Sequence, residues 1–364
     1  MKDCQQRYPR MIMDLSKLRK NIEHIVQACG EHGVGVTAVT KVLCAHPAAA
    51  EVLIEAGVDN LGDSRLKNLR RLRDSDVDAE LMLLRLPRMS RADDVVQLAD
   101  VSLNSEVATI ESLDEAACAN NVTHGVVLMV DVGDLREGVW IDDVASLAEA
   151  ADQAENVNVV GVGTNLACYG GVTPSVRNME KLLQARSVAA EVLGFEPEVV
   201  SGGNSANWDL LKSGQLPEGI NNLRIGEAIF LGNETVRRAK IDPMHDDVFQ
   251  VEAEVIELQR KPSVPVGDIG QDAFGQTPTF EDRGRHRRAI VALGRQDVVP
   301  DGLLPRMNSA EIIGASSDHM ILDVEDVQNP VEVGDVLTFT VRGYSALLAL
   351  STSQYVHKQE VRLD

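Results

Sequence analysis

No apolar run in this chain reaches the roughly 18 residues that a membrane-spanning helix needs. The opening MKDCQQRYPR carries charges without an apolar stretch, so a secretory signal is not expected. Cysteine is sparse and odd in number: Cys4, Cys29, Cys44, Cys118 and Cys168 are scattered, and no pair has CxxC spacing. That argues against a disulfide framework and structural zinc, and for a reduced, cytoplasmic protein. His46, His124, His245 and His286 show no ligand spacing, so no metal is expected. Positive charge is also short. Lys and Arg total 35 against 56 Asp and Glu, giving a net charge of −21. Such a surface repels nucleic acid and anionic membranes, leaving a small molecule as the expected partner. The acidity suits either a high-salt habitat or simply a well-solvated surface. There is no low-complexity segment, and the only repetition is an alternation of strand-like and helix-like stretches.

What remains is ample for a core: 364 residues, 44% of them hydrophobic. Arg10 to Met13 reads as a short strand, and Asp14 can cap a helix bearing Leu18, Ile22 and Ile25 on one face. From there to about residue 235, eight strand-like runs alternate with helices. Leu81 to Leu86 and Val126 to Val132 are apolar runs interrupted only by Arg85 and Asp131, as expected of strands buried on both faces. After Phe249 the texture changes to short β-rich runs such as Val251 to Leu258, Met320 to Val324 and Val336 to Val341, with close Gly, Pro and Asp punctuation. The expected fold is α/β: a (β/α)8 TIM-like barrel over 14–240, then an all-β domain made from 1–13 and 241–364.

One lysine stands out. Val36, Thr37, Val39 and Thr40 favour a strand, Lys41 follows, and Pro47 suits the first turn of a helix. Lys41 thus falls at the carboxyl end of a barrel strand, the face that carries chemistry in such barrels. A lysine that loses hydration there has a lowered pKa and becomes a nucleophile. Ser201-Gly202-Gly203-Asn204-Ser205 follows the seventh strand-like run, and Arg224-Ile225-Gly226-Glu227 the eighth. Phosphate sites in barrels often lie in those two slots. Together these stretches suit a phosphate-bearing carbonyl cofactor.

Taken with Asp63-Ser64-Arg65, the Met129–Gly138 stretch, Asp272-Ala273-Phe274-Gly275 and Gly314–His319, they resemble the alanine/ornithine racemase family of pyridoxal-phosphate-dependent, fold-type III enzymes. The likeness is greatest to the ornithine racemase branch and spans nearly the whole chain. It implies the alanine racemase fold, pyridoxal 5'-phosphate as cofactor, and a PLP-dependent amino-acid racemase (an isomerase) interconverting L- and D-ornithine through a Schiff base on Lys41. It also implies a head-to-tail homodimer in which the β domain of one subunit completes the other's site. Asn165, Ser205, Arg224, Gly226, Glu227 and Tyr355 would bind the cofactor beside Lys41, with Arg224 at the pyridine nitrogen. Lys41 would move the α-proton on one face. Arg136 would bind the phenolic oxygen or the substrate carboxylate. His319 is a candidate for the opposite face, as is Tyr344, and Ser317 and Asp318 are candidates for the substrate.

The chain departs from the family pattern at two places. Gly294-Arg295-Gln296-Asp297 stands where alanine racemases carry the tyrosine base, and Arg295 is a poor base because it stays charged. Ala45 replaces a phosphate-contacting tyrosine. Asp63, Glu137, Asp272, Asp297 and Asp318 could each meet a distal substrate ammonium, against an ordinary role as cap or surface charge. Cys44 and Cys168 lie near the expected active face, where small buried fillers are the plainer reading. Alternatives are a racemase of lysine or of a broader amino-acid set, a non-catalytic cofactor carrier, and a decarboxylase or threonine-type aldolase.

Overall fold

The computed structural model describes residues 7–75 and 77–361; Cys4 and the rest of the opening segment lie outside them. The chain divides into two compact units. One runs from Lys17 to His245, and the other takes the chain up to Ser16 together with that from Asp246 onward.

The first unit is a closed barrel. After β1 (Arg10–Asp14), which belongs to the other unit, and α1 (Leu15–Gly30), strand β2 (Gly35–Val39) begins the barrel wall. It continues through β3 (Asn60–Asp63), β4 (Glu80–Leu83), β5 (Val101–Asn104), β6 (His124–Met129), β7 (Val157–Gly163), β8 (Val199–Ser201) and β9 (Asn222–Ile225). Helices α2 (Pro47–Glu55), α3 (Leu66–Arg73), α4 (Ala92–Leu98), α5 (Val107–Asn120), α6 (Val144–Asp152), α7 (Val176–Leu193), α8 (Trp208–Lys212) and α9 (Glu227–Leu231) follow strands β2 to β9 in turn. All pairings are parallel, and β9 closes on β2 with Thr37 opposite Arg224. Every residue of β5 and β6 is buried, the polar Ser102, Asn104 and His124 included, and the apolar stretch Val126–Met129 of β6 is what a strand covered on both faces requires. Met82, Val101, Leu103, Val127 and Met129 form one cluster of the core. Leu18, Ile22 and Ile25 on α1 are fully buried, each contributing about 1.5–3 kcal/mol of hydrophobic stabilisation. Ser175 caps α7, and Gly194 ends it in a left-handed conformation with φ 74°.

The second unit is mainly an antiparallel sheet. Its strands are β1, β10 (Phe249–Pro262), β11 (Arg285–Val291), β12 (Leu303–Pro305), β13 (Glu311–Ala315), β14 (Met320–Asp323), β15 (Val336–Val341) and β16 (His357–Val361). The order is β12-β15-β10-β11-β14-β13, with β1 antiparallel to β10 and parallel to β16. The first half of β10 alternates between buried and more open positions, as expected of a strand with one wet face. Arg10 Nε donates to Glu252 Oε2 across the β1–β10 pair at 2.6 Å. One helix that the sequence does not announce, α10 (Tyr344–Thr352), follows β15. Its nine residues are too few for a clear period. Tyr344 is its first residue.

Candidate functional site

The barrel positions several predicted residues at the carboxyl ends of its strands. Lys41 does not end the strand itself. It sits just past β2 in a single 3-10 turn, Thr40–Leu43, after which Cys44 and Ala45 take positive φ of 53° and 54°. The turn is fixed from below: Thr40 Oγ1 donates to Asp63 Oδ2 at 2.9 Å. Asp63 is wholly buried, and its other oxygen accepts from Arg65 N at 2.9 Å and Asn68 Nδ2 at 3.0 Å. Burial nevertheless raises its pKa, against those hydrogen bonds. Asp63 is therefore spent on holding the β3 loop to the lysine turn.

Among the described residues no hydrogen bond or ion pair reaches Lys41 Nζ. The side chain keeps solvent access, yet the surrounding protein withholds enough water to lower its pKa. The cations Arg136 and Arg224 act in the same direction; Cys168 and Asp63 oppose it. An amine that deprotonates more readily than an ordinary lysine is the property a carbonyl-attacking nucleophile needs.

Arg224, on β9, is buried. Its Nη1 donates to Ser201 Oγ at 2.5 Å and its Nη2 to the Thr164 carbonyl oxygen at 2.5 Å. Ser201 Oγ in turn donates to Asn222 Oδ1 at 2.5 Å, and Asn222 Nδ2 to Thr37 Oγ1 at 3.0 Å. Four strands or strand ends of the barrel are thus laced to one guanidinium. No carboxylate forms an ion pair with it among the described residues, and burial pulls its pKa down to about 10. Ser201 was expected only as part of the phosphate-slot stretch after the seventh run, and Thr164 and Asn222 went unsingled in the sequence; each stands at or beside a strand end.

Arg136 belongs to the loop after β6 and pairs with the neighbouring Glu137 carboxylate. Burial works against its charge, but Glu137, Cys168 and Asp134 raise its pKa on balance. With the Asn165 amide turned so that its oxygen faces the guanidinium, Asn165 accepts from Arg136 Nη1 at 3.0 Å. In the other orientation the amide nitrogen donates to Cys168 Sγ at 3.1 Å. Cys168 is exposed and Cys44 half-buried, so neither is the buried filler that the sequence suggested. The Cys168 loop is held by Asp134, whose carboxylate accepts from Tyr169 N at 2.8 Å, Val172 N at 3.1 Å and Cys168 N at 3.2 Å. Burial would raise the Asp134 pKa; these donors, with the Gly170 N–H, hold it below the usual carboxylate value.

The loops after β8 and β9 meet. Asn204 caps the turn that follows β8, and Ser205 Oγ accepts from Ala228 N at 3.2 Å. A Cβ on Gly226 would lie 3.1 Å from Val39 Cβ, so β9 passes β2 at a distance a side chain would disturb. The Glu227 side chain turns to Arg238 in an ion pair.

The remaining predicted residues lie in the sheet unit. Ser317 Oγ donates to Asp318 Oδ2 at 2.8 Å, and Gln296 Nε2 to Asp318 Oδ1 at 2.9 Å. The His319 carbonyl accepts from Ser316 N at 2.8 Å. A Cβ on Gly294 would stand 2.1 Å from the Ser317 carbonyl oxygen, so only glycine fits where Gly294–Asp297 crosses this turn. Arg295 stacks over Phe274 at 5.0 Å. Asp272 caps its own loop through Phe274 N and Gln276 N, both at 2.9 Å, and Asp297 accepts from Ser353 Oγ at 2.7 Å. Tyr355 is 68% exposed.

This architecture has relatives. An alanine racemase from Streptomyces lavendulae superposes with a TM-score of 0.77 at 19% identity, over 98% of both chains. An ornithine racemase of Acetoanaerobium sticklandii is 42% identical over 353 residues, covering 97% of this chain and 99% of its own. A lysine racemase of Thermotoga maritima is 41% identical over 351 residues, covering 96% and 98%. The family described as alanine racemase, N-terminal domain, matches residues 13–234, and the chain belongs to it.

Proposed function

We propose that this protein is a racemase of a basic α-amino acid, with ornithine its first substrate and lysine the alternative, and that it uses pyridoxal 5'-phosphate held at Lys41. The observation that carries the reading is the unpartnered, pKa-lowered amine of Lys41 beside two guanidinium groups. The near-equal identities to an ornithine and a lysine racemase support both substrates.

The donor set fits the cofactor. Arg224 carries a buried charge whose hydrogen-bond partners, Ser201 Oγ and the Thr164 carbonyl, are neutral, which suits an unprotonated ring nitrogen or a nearby anion. Ser205, Gly226 and Glu227 lie on the joined β8 and β9 loops, where a phosphate would be held; Asn165 and Arg136 would flank the ring and its oxygen. When bound, the cofactor withdraws electrons from the substrate Cα and makes its proton acidic. Lys41 Nζ would accept or return that proton on one face, its lowered pKa favouring the neutral amine that a general base needs. Inversion needs a second acid or base on the other face. Arg295 is unsuited to it, and His319 of a partner subunit in a head-to-tail homodimer is the group we assign. Ser317 and Asp318 would receive the substrate's distal ammonium, and Tyr355 the phosphate. We place the enzyme in the cytoplasm, as its scattered, odd-numbered cysteines without CxxC spacing suggest.

Chiral chromatography of L- and D-ornithine incubated with cofactor-loaded protein in heavy water tests this. We expect both enantiomers to converge on an equal mixture with deuterium at Cα. No inversion and no exchange with ornithine or lysine would sink the proposal.

A further inference from the structure

A second concave site lies on the barrel unit, apart from the residues assigned above. Its walls come from the start of α3 and from the loop between β4 and α4, and it encloses about 330 Å³. Six cations line it: Arg65, Lys67, Arg70, Arg85, Arg88 and Arg91. The whole chain has only 35 basic residues and a net charge of −21, so this clustering runs against the composition of the rest. Arg70 and Arg91 share one carboxylate, Asp94, with Arg70 Nη2 at 3.6 Å. The side chains of the other four meet no carboxylate among the described residues. Between the cations the lining is mostly apolar, with Leu83, Leu86 and Val95, and Ser64 is its one neutral polar side chain.

Five guanidinium groups and one ammonium around one hollow repel each other unless an anion sits among them. Arginine presents a planar fork of donors that matches phosphate oxygens, and it stays charged. The apolar lining adds room for an uncharged body. We propose that this cavity binds a small organic phosphate carrying two or more negative charges, with its phosphates on Arg65, Lys67, Arg85 and Arg88 and its organic part against Leu86. The acidic balance of the chain, with a net charge of −21, would make this basic patch stand out to an approaching polyanion.

Isothermal titration calorimetry on the holoenzyme, dialysed free of excess cofactor, tests the proposal with ATP, pyrophosphate and adenosine as probes. Occupying the Lys41 pocket beforehand keeps that site from reporting. We expect saturable binding of ATP and pyrophosphate that weakens as salt rises, and none of adenosine. Arg85→Glu with Arg88→Glu should weaken ATP binding at least tenfold, while Arg85→Lys with Arg88→Lys retains most of it. Neither pair should alter circular dichroism or racemisation. Absence of saturable uptake at low salt overturns the assignment, whether the hollow is covered by another subunit or merely solvated. So does equal uptake by the Glu double variant, or equally tight binding of adenosine.

Discussion

The two units treat charge in opposite ways. In the barrel unit, charged and polar groups are buried at strand ends and tied into the wall: Arg224 to Ser201 and Thr164, Asp63 to Thr40, Asp134 to three N–H groups. In the sheet unit the predicted side chains are exposed or half-buried, and several bond to sequence neighbours, as with Ser317 to Asp318 or Asp272 to Phe274. A buried polar group is costly unless it is satisfied, so the barrel fixes its groups with many partners each. The sheet unit pays no such penalty and can present side chains outward. The barrel unit therefore holds its buried charged groups still, while the sheet unit leaves its own accessible.

Substitutions can break this contrast, beginning with the most severe. Lys41→Ala should lower racemisation by at least about 1000-fold and remove the cofactor's visible absorbance, with circular dichroism unchanged. Persistence of a normal covalent cofactor spectrum would refute the assignment of this amine. Asp134→Asn should cost about 2 kcal/mol at neutral pH, since it removes a charged acceptor from several hydrogen bonds. The pH sign follows from its depressed pKa: the stabilisation is present above the unfolded value, near 3.8, and disappears as pH falls through the folded one. Urea titrations should therefore show the gap between parent and variant closing in acid; a gap independent of pH would mean the carboxylate charge is not what holds the loop. Arg224→Lys keeps the charge but cannot reach both Ser201 Oγ and the Thr164 carbonyl, and should cost about 1–2 kcal/mol in the same titration. Arg295→Ala in the sheet unit should cost only about 0.5–1 kcal/mol, the worth of an exposed stack on an aromatic ring. Equal losses from the two arginine variants would erase the distinction drawn here.

The same contrast explains what could be read from residues alone. The barrel was legible because two-sided burial makes its strands continuous apolar runs, as in β6, and because strand–helix alternation repeats. Lys41 was legible as a charge following a β-branched run, and Arg224 was expected in the stretch after the eighth run but lies within β9 itself. The lacing around them was not: Thr37, Thr164, Ser201 and Asn222 are ordinary small polar residues until barrel closure sets β9 against β2. Cys168 was misjudged as filler because cysteine is usually buried; here the Asp134 clamp turns its loop outward. In the sheet unit, α10 and the short strands β12 and β16 escaped notice because three to nine residues carry too little periodicity.

The clamp at Asp134 has an implication for how such a barrel can diversify. It belongs to the segment after β6, yet what it grips belongs to the segment after β7, so the two behave as a single inheritable cassette. A graft that swaps either segment alone arrives with its neighbour untied. New specificities should therefore come from exchanging 131–138 and 165–172 together, or from leaving both in place and varying the opposite rim.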